Sequence, residues 1–313
     1  MSINFGIKTG FNEAFIINGA KKDELIVQDP KSAEIIKPIL RGRDIQRYYP
    51  EFNDTFVIAT FPAKNLNIDE YPSVKEYLKS FGSSIEQSGE KGSRKKTKNK
   101  WFETQDTVAF YPEFEKELII WKRIGSILRF SLGQYYCLDS TCFLSSEYNK
   151  YLLCVFNSKM GHYLMKDAPK TGTGDLLISV QAIEPLKIPQ IENQEPFIEK
   201  ADLMLSLNKQ LQETKQNFIQ ELELEKVPKK LQNFEELEFD EFVKEYKKAK
   251  KLKFADKLEE RNFKQQWQAL FENDKQAVQE LQTQINKTDK EIDQMVYKLY
   301  DLTEDEIKIV EGI

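Results

Sequence analysis

Phe5-Gly6-Ile7-Lys8-Thr9-Gly10-Phe11-Asn12-Glu13-Ala14-Phe15-Ile16-Ile17 anchors the reading of this chain. Two glycines bracket Ile-Lys-Thr, and an aromatic and aliphatic run follows. Glycines at both ends of so short a segment predict a tight turn in which the backbone approaches another segment closely. Phe15-Ile16-Ile17 then predicts the start of a buried strand. Met1-Ser2 passes into the motif without a lead-in, which predicts a piece of a longer protein.

Composition narrows the class. A chain of 313 residues is long enough to bury a core of its own. Charged residues make up 31 %, hydrophobic residues 40 %, and the mean hydropathy is -0.58. No stretch approaches the roughly 18 consecutive apolar residues of a membrane span, and the N-terminus lacks the apolar core of a signal peptide. Cys137, Cys142 and Cys154 are an odd set without a secretory signal, which predicts a reducing, cytoplasmic setting. With His162 they give the spacing C-x4-C-x11-C-x7-H, which lacks the CxxC pair of structural zinc sites. Buried free thiols and no metal are the expectation.

Charge divides the chain. Residues 1–190 hold 26 Lys and Arg against 23 Asp and Glu, a net +3. Residues 191–313 hold 20 against 28, a net -8. The first part suits a polyanion and the second reads as a solvated helical region. The expected class is α+β: a mixed or antiparallel-sheet domain over 1–190, then a helical, coiled-coil-like domain over 191–313.

Residues 24–27 read as a short strand or helix edge, and residues 54–61 and 117–123 as β-branched and aromatic strands. Residues 126–130 and 135–138 flank Leu132-Gly133-Gln134 as an expected hairpin, and 141–144 continue the sheet. Residues 71–78 have helical spacing with a proline at the start. Residues 151–165 read as one apolar helix, and Thr171-Gly172-Thr173-Gly174 as a mobile turn.

Two stretches carry donors suited to nucleic acid. In Arg41-Gly42-Arg43-Asp44-Ile45-Gln46-Arg47-Tyr48, three arginines surround a glycine turn; the planar guanidinium fork matches phosphates and guanine edges. Pairing of arginine with Asp44 on a surface loop explains the same residues. Residues 87–100 hold six basic groups, one acid and no apolar residue, which predicts a flexible loop that orders on phosphate, although charge runs are often merely solvated. Arg94, Lys95, Lys96, Lys98 and Lys100 are the first candidates for phosphate contact, and Arg41, Arg43 and Arg47 the second. Lys122, Arg123, Arg129, Tyr135 and Tyr136 are candidates for groove contacts, and Lys8 and Thr9 for the DNA backbone.

In the second part, Met204, Leu207, Leu211, Thr214 and Phe218 recur by three and four, as do Val278, Leu281, Ile285, Thr288, Ile292, Met295 and Leu299. Two antiparallel helices are the simplest arrangement, with a charged helical insert from about 235 to 271. Thr303 and Glu306 predict a capping box and a short terminal helix. No catalytic motif stands out: there is no G-x-G-x-x-G, no Pro-Pro-aromatic loop of an adenine-amino methyltransferase, and a single histidine.

The motifs taken together resemble the C-terminal specificity region of TaqI-like and type IIG restriction–modification proteins, which carry N6-adenine DNA methyltransferase domains. The resemblance rests on residues 6–15, on Lys37-Pro38-Ile39-Leu40-Arg41-Gly42-Arg43-Asp44-Ile45 with Arg47-Tyr48, and on Lys100-Trp101-Phe102-Glu103. It continues through 114–121, Leu152-Leu153, Asn157-Ser158-Lys159, 291–300 and 302–307, in family order over nearly the whole chain. It implies a target recognition domain that reads double-stranded DNA, followed by helices that dock it to a methyltransferase/endonuclease domain of the same parent protein. S-adenosylmethionine and Mg are implied only for that catalytic part; none is expected in this chain. Base-reading positions vary with the target, so the resemblance does not fix them. The rival readings are a coiled-coil interaction scaffold without DNA specificity and an enzyme with an unrecognised site.

Overall fold

The computed structural model describes residues 1–312. In chain order the elements are β1 (Ser2–Phe5), α1 (Asn12–Phe15), β2 (Ile16–Asn18), α2 (Gly19–Gln28), β3 (Ile36–Leu40), β4 (Thr55–Ile58) and α3 (Pro72–Lys79). There follow β5 (Leu118–Lys122), β6 (Ile124–Gly125), β7 (Phe130–Gly133), β8 (Tyr136–Cys137), β9 (Thr141–Ser145), α4 (Asn149–Asn157), α5 (Lys159–Met165), β10 (Leu176–Leu177) and α6 (Val180–Ile183). The helices α7 (Glu195–Glu221), α8 (Lys229–Gln232), α9 (Phe239–Lys250), α10 (Lys257–Leu299) and α11 (Glu304–Glu311) complete an α+β chain. They form two compact units: Met1–Ile198 together with the chain from Val296 onward, and Glu199–Met295.

In the first unit, β1, β9, β5 and β7 make an antiparallel sheet in that order. A second sheet runs β2, β4, β3, β8, with β3 and β8 parallel. Leu118 and Ile120 of β5 share a core with Ile39 and Val57 of the second sheet. Trp121 packs on Phe130, which packs in turn on Phe156 of α4. β5 is covered on both faces, so Leu118-Ile119-Ile120-Trp121 is a continuous apolar run rather than an alternating one. The second sheet also packs Ile17, Ile36 and Ile58, together with Phe15 of α1, against Leu25 of α2 and Val74 and Leu78 of α3.

One open alternative is decided and two local expectations are corrected. Residues 24–27 are the helix edge rather than a strand: they lie near the end of α2, a helix capped by the Asn18 side chain, which accepts from the Lys21 N–H. The hairpin about Leu132-Gly133-Gln134 does not form: β7 pairs with β5, while β8 pairs with β3 in the other sheet. Gly133 ends β7 opposite Leu118 and the bend falls on Gln134; long-range burial chooses the partners. The apolar helix over 151–165 is two helices, because the Ser158 hydroxyl accepts from the Gly161 N–H and starts a new one.

In the second unit Lys200 reaches Glu291 at 2.6 Å, and Phe218 meets Phe271 with ring centroids 6.1 Å apart. α7 and α10 therefore run antiparallel. Toward one end of the pair, Phe218, Phe234, Phe242, Tyr246 and Phe271 build an aromatic core with α8 and α9. The insert is interrupted between Lys250 and Lys257 rather than continuously helical. Thr303 caps α11 in a capping box with Glu306, returned to the Thr303 N–H at 2.8 Å. Among the described residues, no helix is long and apolar enough to cross a membrane.

Candidate nucleic-acid interface

The opening glycine motif places the site by close approach. A Cβ on Gly6 would lie 2.0 Å from the Leu138 carbonyl oxygen, so only glycine fits there. Backbone bonds then stitch three distant segments together. Ile7 donates to Cys137 at 2.6 Å, Asp139 to Ile7 at 2.9 Å and Leu138 to Leu40 at 3.0 Å. The Gly42 N–H donates to the Ser140 hydroxyl at 2.9 Å, and Arg123 N–H to the Ser140 carbonyl at 3.0 Å. Residues 6–8, 41–43 and 138–141 thus form one ledge. Lys8 is exposed on it, with its N–H bonded to Asp106, whose carboxyl is held above the usual range first by burial.

The sequence candidates separate sharply by exposure. Thr9 is 1 % exposed, and its hydroxyl donates to Asn12 while accepting from the Phe11 N–H. Arg94 is 5 % exposed. Its guanidinium donates to the carbonyls of Ile85 at 2.8 Å and Glu103 at 2.7 Å, and to those of Thr9 and Trp101. It also lies over the Phe15 ring. Desolvation lowers its pKa to about 10, which leaves it charged at neutral pH. The stretch 87–100 is therefore a loop folded around Arg94 rather than a free one, and it presents Lys95, Lys96, Lys98 and Lys100 to solvent. Tyr136 is buried, with its hydroxyl on Glu115 at 2.9 Å. Tyr135 packs on Phe52, beyond the Gly133 end of β7.

The remaining candidates meet elsewhere. Arg41 is held by Asp44 through bonds of 3.0 and 3.2 Å, and Arg43, its side chain 73 % exposed, reaches the same carboxylate only at 3.9 Å, so the pairing with Asp44 is present in this loop. Arg47 donates to the Asn157 carbonyl at the end of α4, where a cation offsets the helix dipole. Trp121 and Phe130 are paired across β5 and β7, so Lys122 and Arg129 leave the sheet at the same end. A Cβ on Gly42 would touch Lys122, which brings the Arg43 loop to that end, and Arg129 donates to Gln46 at 2.8 Å. Arg123 lies over the Phe5 ring. The segments that carry Arg43, Lys122 and Arg129 thus meet at one end of the sheet, while exposed Asp139 lies on the Ile7 side, close enough to add to burial in raising the Asp106 carboxyl.

Sequence reasoning missed the apolar tip at this end. Ile124 and Ile127 are exposed, the latter by 61 %, while Leu128 is buried. Two isoleucines around Gly125-Ser126, between strands, were the available signal. β6 pairs with β10 to form a two-stranded ribbon whose neighbour is the turn at Thr171-Gly172-Thr173-Gly174. The three cysteines are buried and free, and burial pushes the Cys142 thiol up to about 12. Among the described residues no group of three or more His, Cys, Asp or Glu is placed to hold a metal ion.

A domain of unknown function (DUF8810) matches residues 190–296, about a third of the chain. No curated protein matches. Among solved structures, the chain is similar to a type IIL restriction–modification enzyme, MmeI, in a complex with DNA, at 10 % identity and a TM-score of 0.40. The match covers 89 % of this chain and 36 % of that one, so the chain spans little more than a third of that enzyme's length. A likeness of this degree says nothing about what this chain binds.

Proposed function

We propose that this chain is a sequence-specific DNA recognition module. Residues 1–190 read the duplex, and 191–313 act as helical spacer and docking surface for a methyltransferase/endonuclease domain of a cytoplasmic restriction–modification protein. The observation that carries the reading is the convergence of Arg43, Lys122 and Arg129 at one end of the first sheet. Arg43 and Lys122 are exposed and Arg129 is half-buried against Gln46; cations gathered on a hydrogen-bonded sheet end suit phosphates, which fix register on a duplex. Lys95, Lys96, Lys98 and Lys100 supply a second phosphate-facing set. Arg94, Thr9 and Tyr136 serve the fold. The type IIG assignment and the catalytic partner rest on the ordered motifs of the sequence.

The test is binding of the full chain to a pool of duplexes with a randomised core, followed by selection and a salt titration. A selected motif and a steep fall of affinity with salt are expected, and Arg43→Ala with Lys122→Ala lowers the slope by about 0.9 per lost phosphate contact. Negligible binding at about 50 mM salt overturns the proposal.

A further inference from the structure

We infer that the Ile124–Leu128 tip is a base-reading element, with Ile127 packing on a thymine methyl in the major groove; this rests on the DNA reading above. Single exposed apolar residues are ordinary on protein surfaces. This one differs in its setting. Ile127 and Ile124 stand within four residues on the loop that joins β5 to β7, and the cations Lys122 and Arg129 bound that loop at its two ends. Those two ends stand side by side, next to the Trp121–Phe130 pair. The apolar tip thus projects beyond a pair of cations, an arrangement that suits a side chain entering a groove while its base meets a phosphate backbone.

The base of the tip is rigid, as a reading element requires. β6 pairs in register with β10, Leu176 opposite Gly125 and Leu177 opposite Ile124. The Trp121 indole N–H donates to the Ile178 carbonyl at 2.8 Å, and the Ile178 N–H to the Arg123 carbonyl at 2.9 Å. Leu128 is buried, so the loop is fastened beside the residue it exposes. A two-stranded ribbon matches the major groove, about 12 Å wide, and there the C5-methyl of thymine is the apolar feature of the base-pair edges. The exposed Thr173 and the hydroxyl of Thr171 lie on the adjoining turn of the same ribbon.

The experiment uses the full chain and two randomised duplex pools, one with thymine and one with deoxyuridine in its place, which lacks the methyl. The wild-type chain is expected to select a motif with a T·A pair at one position, preferred by about fourfold for the methyl alone. That preference disappears in the uracil pool while the others persist. Ile127→Ser, a change at an exposed side chain, loses the same position in the thymine pool with the salt slope unchanged. A wild-type motif that survives both the uracil pool and Ile127→Ser overturns this inference and leaves the DNA reading standing. Failure of the wild-type chain to bind any duplex overturns both.

Discussion

Arg94→Ala separates a structural arginine from a phosphate-binding one. The guanidinium carries four hydrogen bonds to main-chain carbonyls. The Thr9 carbonyl keeps a bond from the Gln105 N–H, and that of Glu103 one from the Gln87 side chain. The carbonyls of Ile85 and Trp101 are the two that depend on the arginine. Leaving a buried acceptor unsatisfied costs about 1–3 kcal/mol, and loss of the contact over Phe15 adds about 1 kcal/mol. The expected destabilisation is about 4 kcal/mol in the first unit. With a urea slope of about 2 kcal/mol/M, the midpoint falls by about 2 M. Tryptophan fluorescence in a Trp267→Phe background follows Trp101 and Trp121, both in the first unit. In the same assay, alanine at Lys95, Lys96 and Lys98 shifts stability by no more than about 0.5 kcal/mol each, as for open surface positions. An Arg94→Ala protein of unchanged midpoint that loses DNA affinity would refute this reasoning, because the arginine would then be facing phosphate.

Gly6→Ala is expected to destabilise by about 3 kcal/mol or more, because its Cβ collides with the Leu138 carbonyl; Gly172→Ala, with open space around it, is neutral in the same thermal melts. His162 is held at about 4, first by burial and second by Arg47, against 6.5 for the free imidazole. Protons therefore bind the unfolded chain more readily: stability is full above 6.5, falls as pH drops towards 4, and loses about 3 kcal/mol by that point. His162→Phe should flatten that part of the stability profile, and an unchanged difference between pH 7 and 4.5 would count against it. Phe242→Ala opens the aromatic core of the second unit and is expected to cost about 4 kcal/mol by Trp267 fluorescence. Salt-dependent binding to the duplex pool should survive it.

Much of the fold lies in local pattern. The β-branched run at 55–58, the apolar 118–121, the proline-led helix at 72–79 and the Thr303–Glu306 box each specify their element through neighbours in sequence. Gly6 announced a close backbone approach by its lack of a side chain, without saying to what. The α+β class followed from the same signals.

What the sequence could not settle is which distant groups meet. Nothing local tells β7 to join β5 while β8, three residues on, crosses to β3; burial on both faces of β5 decides that. Arg94 and Lys95 are neighbours with the same charge, yet Arg94 turns inward because carbonyls from residues 9, 85, 101 and 103 surround it. Likewise Arg43, Lys122 and Arg129 share a sheet end through strand register and the stitching of Gly42 to Ser140. Composition fixes how many cations the chain carries. Only tertiary packing, which spends some of them on buried carbonyls and leaves others at an open end, decides which can face a partner.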